Sequence, residues 1–205
     1  MKTHYFFIKR LLDVLVSLLG LVILSPLLIG IAIWIKIDSL GPIFFRQLRV
    51  GLHGKTFYIH KFRSMAINSE QQSQLTIGSD SRITRSGKFI RKYKIDELAQ
   101  LIDVLQGTMS LVGPRPEVPK FMNIYPQKIR KQILSVKPGI TDLASIEMID
   151  ESCILAKYSD PQQAYIDVIM PIKSEYYIKY IQKRSILFDI KVIFMTIFKI
   201  LKKIK

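Results

Sequence analysis

Two apolar stretches bracket a chain whose middle alternates between short apolar runs and charged turns. From Val14 to Ile35 no charged residue appears. That is about 22 residues, or roughly 33 Å as a helix, enough to cross a hydrocarbon core. The run is too long for a secretory signal and no small-x-small site closes it. Ser25-Pro26 stands at its midpoint. Proline removes a backbone donor there and bends or breaks a helix, and a neighbouring serine hydroxyl can bond back to the freed carbonyl. Lys2, Lys9 and Arg10 precede the run and Lys36 comes after it, so positive charge favours neither orientation of a simple span. Two arrangements stay open: a kinked single span, and a helix that enters, bends at Ser25-Pro26 and leaves on the same side.

Further along, Pro42–Leu48 reads as a short strand, Gly51–Gly54 as a turn and Thr56–Phe62 as the returning strand of a β-hairpin. Residues 68–81 are polar and read as a mobile loop. Leu98, Leu101, Ile102 and Leu105 recur at helical spacing, with Asp96 placed as the N-cap and Gly107 as the stop. Helices are expected through 118–134 and 160–183, with Lys137–Thr141 as a turn between them. The tail, Ile186–Lys205, sets Lys191, Lys199, Lys202 and Lys203 on one arc and Ile190, Ile193, Phe194, Ile197, Leu201 and Ile204 largely on the other. It reads as a helix lying in the headgroup layer of a membrane or as a core-packing helix with a solvated lysine face.

The length, 205 residues, suits one domain plus a membrane element. Thirty-one lysines and arginines against sixteen acids leave a net charge of +15, which points to an anionic partner: nucleic acid, anionic lipid or a phosphorylated substrate. No helix-turn-helix or RNA-binding motif is present, which argues against nucleic acid. The single cysteine, Cys153, excludes an internal disulfide and a cysteine-based zinc site, and the scattered His4, His53 and His60 form no ligand cluster. No P-loop, no G-x-G-x-x-G and no nucleophile elbow appears. The basic residues Lys61, Arg63, Arg82, Arg85, Lys88, Arg91 and Lys92 all come after the membrane run and favour a cytoplasmic side for that part of the chain.

Asp96-Glu97 is the richest candidate for chemistry. Two adjacent carboxylates come after the basic cluster Arg91-Lys92-Tyr93-Lys94 and before Gly113-Pro114-Arg115-Pro116. Taken alone Asp96 reads first as a helix cap; the same position also suits an ionised nucleophile toward phosphorus, with Glu97 able to hold a divalent cation that bridges phosphate oxygens. Lys61, Arg63 and Arg91 are candidate phosphate contacts. Arg115 stands out because Pro114 and Pro116 fix the backbone on both sides of it, which suits bidentate phosphate recognition.

Several ordered motifs then agree at once: Phe45-x-Gln47-x-Arg49-x-Gly51-x-x-Gly54-Lys55-x-Phe57-x-Ile59-x-Lys61-Phe62-Arg63-Ser64-Met65, Ile95-Asp96-Glu97-Leu98-x-Gln100-Leu101, Met109-Ser110-Leu111-Val112-Gly113-Pro114-Arg115-Pro116 and Lys137-Pro138-Gly139-Ile140-Thr141. With the Ser25-Pro26 break they resemble the bacterial sugar transferases, the small monotopic phosphoglycosyl transferases. The resemblance implies transfer of a sugar-1-phosphate from a UDP-sugar to undecaprenyl phosphate, with release of UMP. It implies Mg²⁺ and a covalent phosphosugar-aspartate intermediate. Carried onto this chain, it makes Asp96 the nucleophile, Glu97 the magnesium-associated acid, and Arg91 and Arg115 contacts to phosphate or nucleotide. It favours the re-entrant helix and places the chain on the bacterial inner membrane, among membrane lipids, with its catalytic part facing the cytoplasm and downstream glycosyltransferases as possible partners. Ala99, Thr108 and the 142–150 stretch depart from the family pattern; the last is expected to bear on the sugar. The expected fold is mainly α with a small β-hairpin: a re-entrant membrane helix (1–38), a compact catalytic domain (39–185) and an amphipathic interfacial helix (186–205). The alternative is a non-catalytic, basic membrane scaffold that binds anionic lipid.

Overall fold

The computed structural model describes residues 2–67, 69, 75, 80–148 and 150–204. Most of the polar stretch expected as a loop, 68 and 70–79 apart from 75, lies outside them. Among the described residues the chain is mainly helical, with one antiparallel hairpin, in agreement with the hydrophobic pattern.

Helix α1 (Lys2–Asp38) has 37 residues and runs through Pro26 without a break, about 55 Å at the usual rise. The reason lies one residue upstream. Pro26 has no N–H for the Val22 carbonyl, and the Ser25 hydroxyl donates to that carbonyl instead, at 2.7 Å. The expected break at Ser25-Pro26 is therefore not a helix end. From His4 to Asp38 the helix is long and apolar enough to cross a membrane.

One stripe of α1 faces the rest of the molecule. Asp13, Ser17, Ile31 and Ile35 are buried along it. The opposite face exposes Phe7, Leu19, Val22, Ile23, Ile29 and Ile37, with Phe7 72% exposed. Hydrogen bonds tie both ends of the helix to the remainder of the fold. Near the start, Arg10 donates to the carbonyls of Val104 and Leu105, at 2.5 and 3.0 Å, and Asp13 Oδ1 accepts the Leu111 amide at 3.1 Å. At the far end, Asp38 Oδ2 accepts the amide and hydroxyl of Ser86, at 2.8 and 2.7 Å.

Strands β1 (Phe44–Val50) and β2 (Thr56–Phe62) pair antiparallel in the register Phe44 opposite Phe62 and Val50 opposite Thr56. Helix α2 (Arg85–Lys92) starts at Thr84, whose hydroxyl accepts the Gly87 amide at 3.0 Å. A 3-10 helix (Ile95–Gln100) leads into α3 (Leu101–Gln106). Gly107 ends α3 at φ 86°, a left-handed conformation that glycine adopts without a Cβ clash.

Strand β3 (Ser110–Val112) pairs in parallel with β4 (Gly139–Thr141). The segment expected as a turn, Lys137–Thr141, is thus partly a strand. The approach is close: a Cβ at Gly139 would stand 2.1 Å from the Gly113 nitrogen. The helix expected through 118–134 is split by Pro126 into α4 (Pro119–Met122) and α5 (Gln127–Ile133), because proline cannot donate within a helix. Short helices α6 (Leu143–Glu147), α7 (Glu151–Leu155) and α8 (Pro161–Ala164) come next. A π turn (Tyr165–Ile169) then leads into α9 (Met170–Lys183).

Helix α10 (Ile186–Ile204) packs Val192 onto Val112, Leu143, Ile146 and Tyr180. Its outer face exposes Leu187, Ile190, Phe194, Ile197, Phe198 and Leu201. The helix is a core element on one edge, as the core-packing reading expects, and it leaves an exposed apolar face on another. It is tied to α1 at Asp189, which accepts from Lys9 Nζ at 2.8 Å and from the Tyr5 hydroxyl at 3.2 Å.

Candidate active site

The site begins at Lys94, whose φ of 58° is left-handed and turns the chain sharply out of α2 into the 3-10 helix. Ile95 and Ala99 are drawn into an apolar cluster with Ile31, Ile35, Phe62 and Ile90. That packing carries Asp96 inward with them. Asp96 is 7% exposed, and its Oδ1 has no hydrogen-bond partner.

This corrects the capping assignment. Lys94, not Asp96, occupies the N-cap position, and no side chain caps this helix. The turn is 3-10 rather than α, so Asp96 already lies inside it.

Glu97 is held quite differently. Arg115 reaches it as a fork: Nη1 donates to Oε2 at 3.1 Å and Nη2 to Oε1. Lys61, from β2, adds a third bond to Oε1 at 3.2 Å. The fork is aimed by its backbone. The Gly139 amide donates to the Pro114 carbonyl at 3.0 Å, and Arg49 Nη1 donates to the Pro116 carbonyl at 2.9 Å. Both prolines flanking Arg115 are thus pinned, one to the β3–β4 pair and one to the hairpin. A half-buried guanidinium with a fixed backbone forms a bidentate pair without ordering a free loop.

These environments push the two acids apart. Burial raises the pKa of Asp96, and the Glu97 charge adds to that rise; Lys61, Lys94 and Arg91 oppose it. Burial would raise Glu97 too, but Arg115 and Lys61 outweigh it and hold Glu97 well below the usual carboxylate range. Burial also pushes Lys61 down, to about 8, against the attraction of Glu97. Adjacent carboxylates with opposite shifts have different work: Glu97 is a fixed anion that organises cations, and Asp96 is an unbonded carboxylate among them.

The candidate residues therefore divide. Lys61, Asp96, Glu97 and Arg115 come together, Pro114 and Pro116 aim Arg115, and Arg91, in the last turn of α2, acts on Asp96 through its charge. Arg63 is directed elsewhere. It is 5% exposed and donates to the carbonyls of Pro42, Leu40 and Ser39 at 2.7, 2.9 and 2.8 Å. It thus closes the end of α1 onto the hairpin, with its guanidinium turned to backbone rather than to a ligand. Ser25 and Pro26 lie within α1, outside this cluster. Thr108 lies in the turn that ends α3, where its hydroxyl donates to the Asp103 carbonyl at 3.1 Å. Asp142, first of the stretch that departs from the family pattern, caps α6 by accepting the Ser145 amide at 3.0 Å. Lys94 escapes sequence reasoning because a left-handed lysine leaves no signal in the sequence.

Over nearly its whole length the chain is similar to known proteins. The model of the family described as "Bacterial sugar transferase" matches residues 4–203. The chain belongs to the bacterial sugar transferase family. One relative is a UDP-N-acetylgalactosamine-undecaprenyl-phosphate N-acetylgalactosaminephosphotransferase of Aeromonas hydrophila, 39% identical over 96% of this chain and 44% of its own length. Another is a UDP-glucose:undecaprenyl-phosphate glucose-1-phosphate transferase of Klebsiella pneumoniae, 42% identical over 93% of this chain and 39% of its own length. A third, from Bacillus subtilis, is named a putative undecaprenyl-phosphate N-acetylgalactosaminyl 1-phosphate transferase, 43% identical over 67% of this chain and 73% of its own length. The chain spans less than half the length of the first two relatives.

Proposed function

We propose that this sugar transferase moves a sugar-1-phosphate from a UDP-sugar to undecaprenyl phosphate through a covalent intermediate on Asp96. The observation that carries the reading is the unpartnered, buried Asp96 carboxylate beside the Lys61–Glu97–Arg115 cluster. The relatives, named for UDP-sugar donors and an undecaprenyl-phosphate acceptor, supply the substrates.

In the first half-reaction an Asp96 oxygen attacks the phosphorus that carries the sugar. A carboxylate–phosphorus bond forms, the bridging oxygen–phosphorus bond breaks and UMP leaves with the bonding electrons. In the second, a phosphate oxygen of undecaprenyl phosphate attacks the same phosphorus and returns Asp96 as a carboxylate. Burial makes Asp96 a poorly solvated and hence reactive anion, and Lys61, Lys94 and Arg91 bias its surroundings toward the two anionic substrates, each of which enters in turn.

Magnesium fits this donor set as an ion shared with substrate. Among the described residues no group of three or more His, Cys, Asp or Glu side chains could form an all-protein site. Mg²⁺ commonly takes one or two carboxylates plus substrate phosphate oxygens. Glu97 Oε2 accepts one bond, from Arg115, and retains a lone pair for such an ion. Bound there, the ion would neutralise charge on the phosphates.

The same reading includes a monotopic anchor with the site facing the cytoplasm. It is supported by the bonds that tie both ends of α1 to one domain and by basic residues at both ends, Lys9 and Arg10 before the apolar run and Lys36 after it. The exposed apolar faces of α1 and α10 would then lie in lipid. The test is Asp96→Asn with UDP-glucose or UDP-N-acetylgalactosamine, Mg²⁺ and undecaprenyl phosphate in detergent. The reading expects UMP release to fall to background; near wild-type release sinks it.

A further inference from the structure

Behind Lys61 lies a second polar cluster that the reaction above does not use. Asp103, in α3, is fully buried at 0% exposure. Its carboxylate grips β2 twice at one residue: Oδ2 accepts the His60 amide at 2.8 Å, and Oδ1 lies 2.6 Å from His60 Nδ1. Arg46 Nη1, from β1, contacts the other ring nitrogen, Nε2. A guanidinium only donates, so Nε2 is the acceptor, and the ring proton sits on Nδ1, where it donates to Asp103. Phe44 closes the ring edge-on, with centroids 5.9 Å apart.

The backbone of Asp103 works in the opposite direction. Its carbonyl accepts the amides of Thr108 and Met109, at 3.1 and 3.2 Å, and the Thr108 hydroxyl. Those bonds shape the turn that leads through β3 to Arg115. One residue thus fixes the strand that carries Lys61 and the turn that leads to Arg115, and it sits on the segment that continues from Asp96-Glu97. Lys61 is linked to it through its chain neighbour His60, and Glu97 and Arg115 through the backbone segments 97–103 and 109–115. Nothing in local spacing announces the pair, which is 43 residues apart in sequence.

We infer that Asp103 and His60 are positioning residues: their clamp holds β2 against α3 so that Lys61 stays on Glu97 and the cation cluster keeps its geometry around Asp96. The inference rests on the function proposed above for that cluster. A structural role alone would lower stability and leave the Lys61 contact and kcat of the folded fraction unchanged. A positioning role changes both.

The decisive variants are His60→Phe, which fills the ring space and removes the donor, and His60→Asn, which keeps an amide donor near the Nδ1 position. Two quantities are read on purified, folded full-length protein. One is kcat and KM with whichever of UDP-glucose and UDP-N-acetylgalactosamine the wild-type protein turns over. The other is the rate at which an amine-reactive probe labels Lys61 at one fixed pH, measured by peptide mass spectrometry. His60→Phe is expected to lose about tenfold in kcat with little change in KM and to label Lys61 faster, and His60→Asn to recover most of both. Unchanged kcat and unchanged labelling in His60→Phe overturn the inference, as does equal loss in both variants with Lys61 still protected. If His60→Phe does not fold, Asp103→Asn carries the same expectation and the same overturning result. Labelling needs no turnover, so a wild-type protein that releases no UMP contradicts the proposed reaction while the clamp is still tested separately.

Discussion

Arg115→Lys separates charge from geometry at the centre of the site. Lysine keeps the positive charge between the two pinned prolines but cannot form the fork, so Glu97 loses one of the two bonds it receives from Arg115. A hydrogen bond to a charged group contributes about 1.5–3 kcal/mol. A quarter of the Arg115 side chain is exposed, so solvent screening favours the lower end. At about 1.4 kcal/mol per factor of ten, the expected loss in kcat/KM is roughly 10- to 30-fold. Arg115→Ala should cost more, because Glu97 then keeps Lys61 alone; breaking a buried pair costs about 3–5 kcal/mol at full burial, and less here. The assay is UMP release from the UDP-sugar in detergent or nanodiscs, with the thermal midpoint measured on the same samples to separate misfolding. Arg115→Lys within twofold of wild type would refute the argument that the fork organises the site.

The same geometry sets three other outcomes. Activity should fall in acid along a limb set by Asp96, whose burial-raised pKa places it above the ordinary carboxylate value of about 3.9, and in base as Lys61 loses its proton near pH 8. Lys61→Arg stays charged, so it should remove that alkaline limb, and a limb that stays near 8 assigns it to another group. Asp96→Asn should be more thermostable than wild type by about 1 kcal/mol at neutral pH, because it removes a buried, unpartnered charge. The sign comes from the raised pKa: the ionised form destabilises the fold above the folded-state pKa, so the gain must shrink as pH falls and Asp96 protonates. A calorimetric pH series showing no gain at any pH contradicts the burial argument. Ser25→Ala should destabilise the chain by about 0.5–1.5 kcal/mol in denaturation from detergent, and much less when Pro26→Ala is also present, since alanine restores the N–H to the Val22 carbonyl. Additive effects of the two changes would show that Ser25 does not serve that carbonyl.

Elements with a local cause are legible in the sequence. The hairpin alternation places both strands to within two residues, Gly107 stops α3 as a left-handed glycine should, and the apolar run of α1 needs no context. The prolines mark Arg115 as braced for a bidentate partner, read from the sequence as phosphate, and the fold puts Glu97 in the fork.

What escapes the sequence has non-local causes. Asp96 resembles a cap because aspartate before an apolar helix usually is one; the left-handed Lys94 moves the cap position two residues upstream. Arg63 reads as a phosphate contact, and only the fold shows the carbonyls of Ser39, Leu40 and Pro42 converging on it. The β3–β4 pair joins segments too short to announce themselves as strands and is recognisable only once Gly113 and Gly139 meet. The His60–Asp103 clamp is of the same kind, two ordinary residues that acquire a role from packing.

The central claim is that Asp96 forms a bond to phosphorus. Incubating the protein with its UDP-sugar and Mg²⁺ but no lipid acceptor, then quenching in acid for intact and peptide mass spectrometry, tests it directly. The account predicts one added sugar-phosphate mass, mapped to the peptide containing Asp96, absent in Asp96→Asn and discharged when undecaprenyl phosphate is added. Turnover with no adduct at any quench time, or an adduct on a residue other than Asp96, would contradict it.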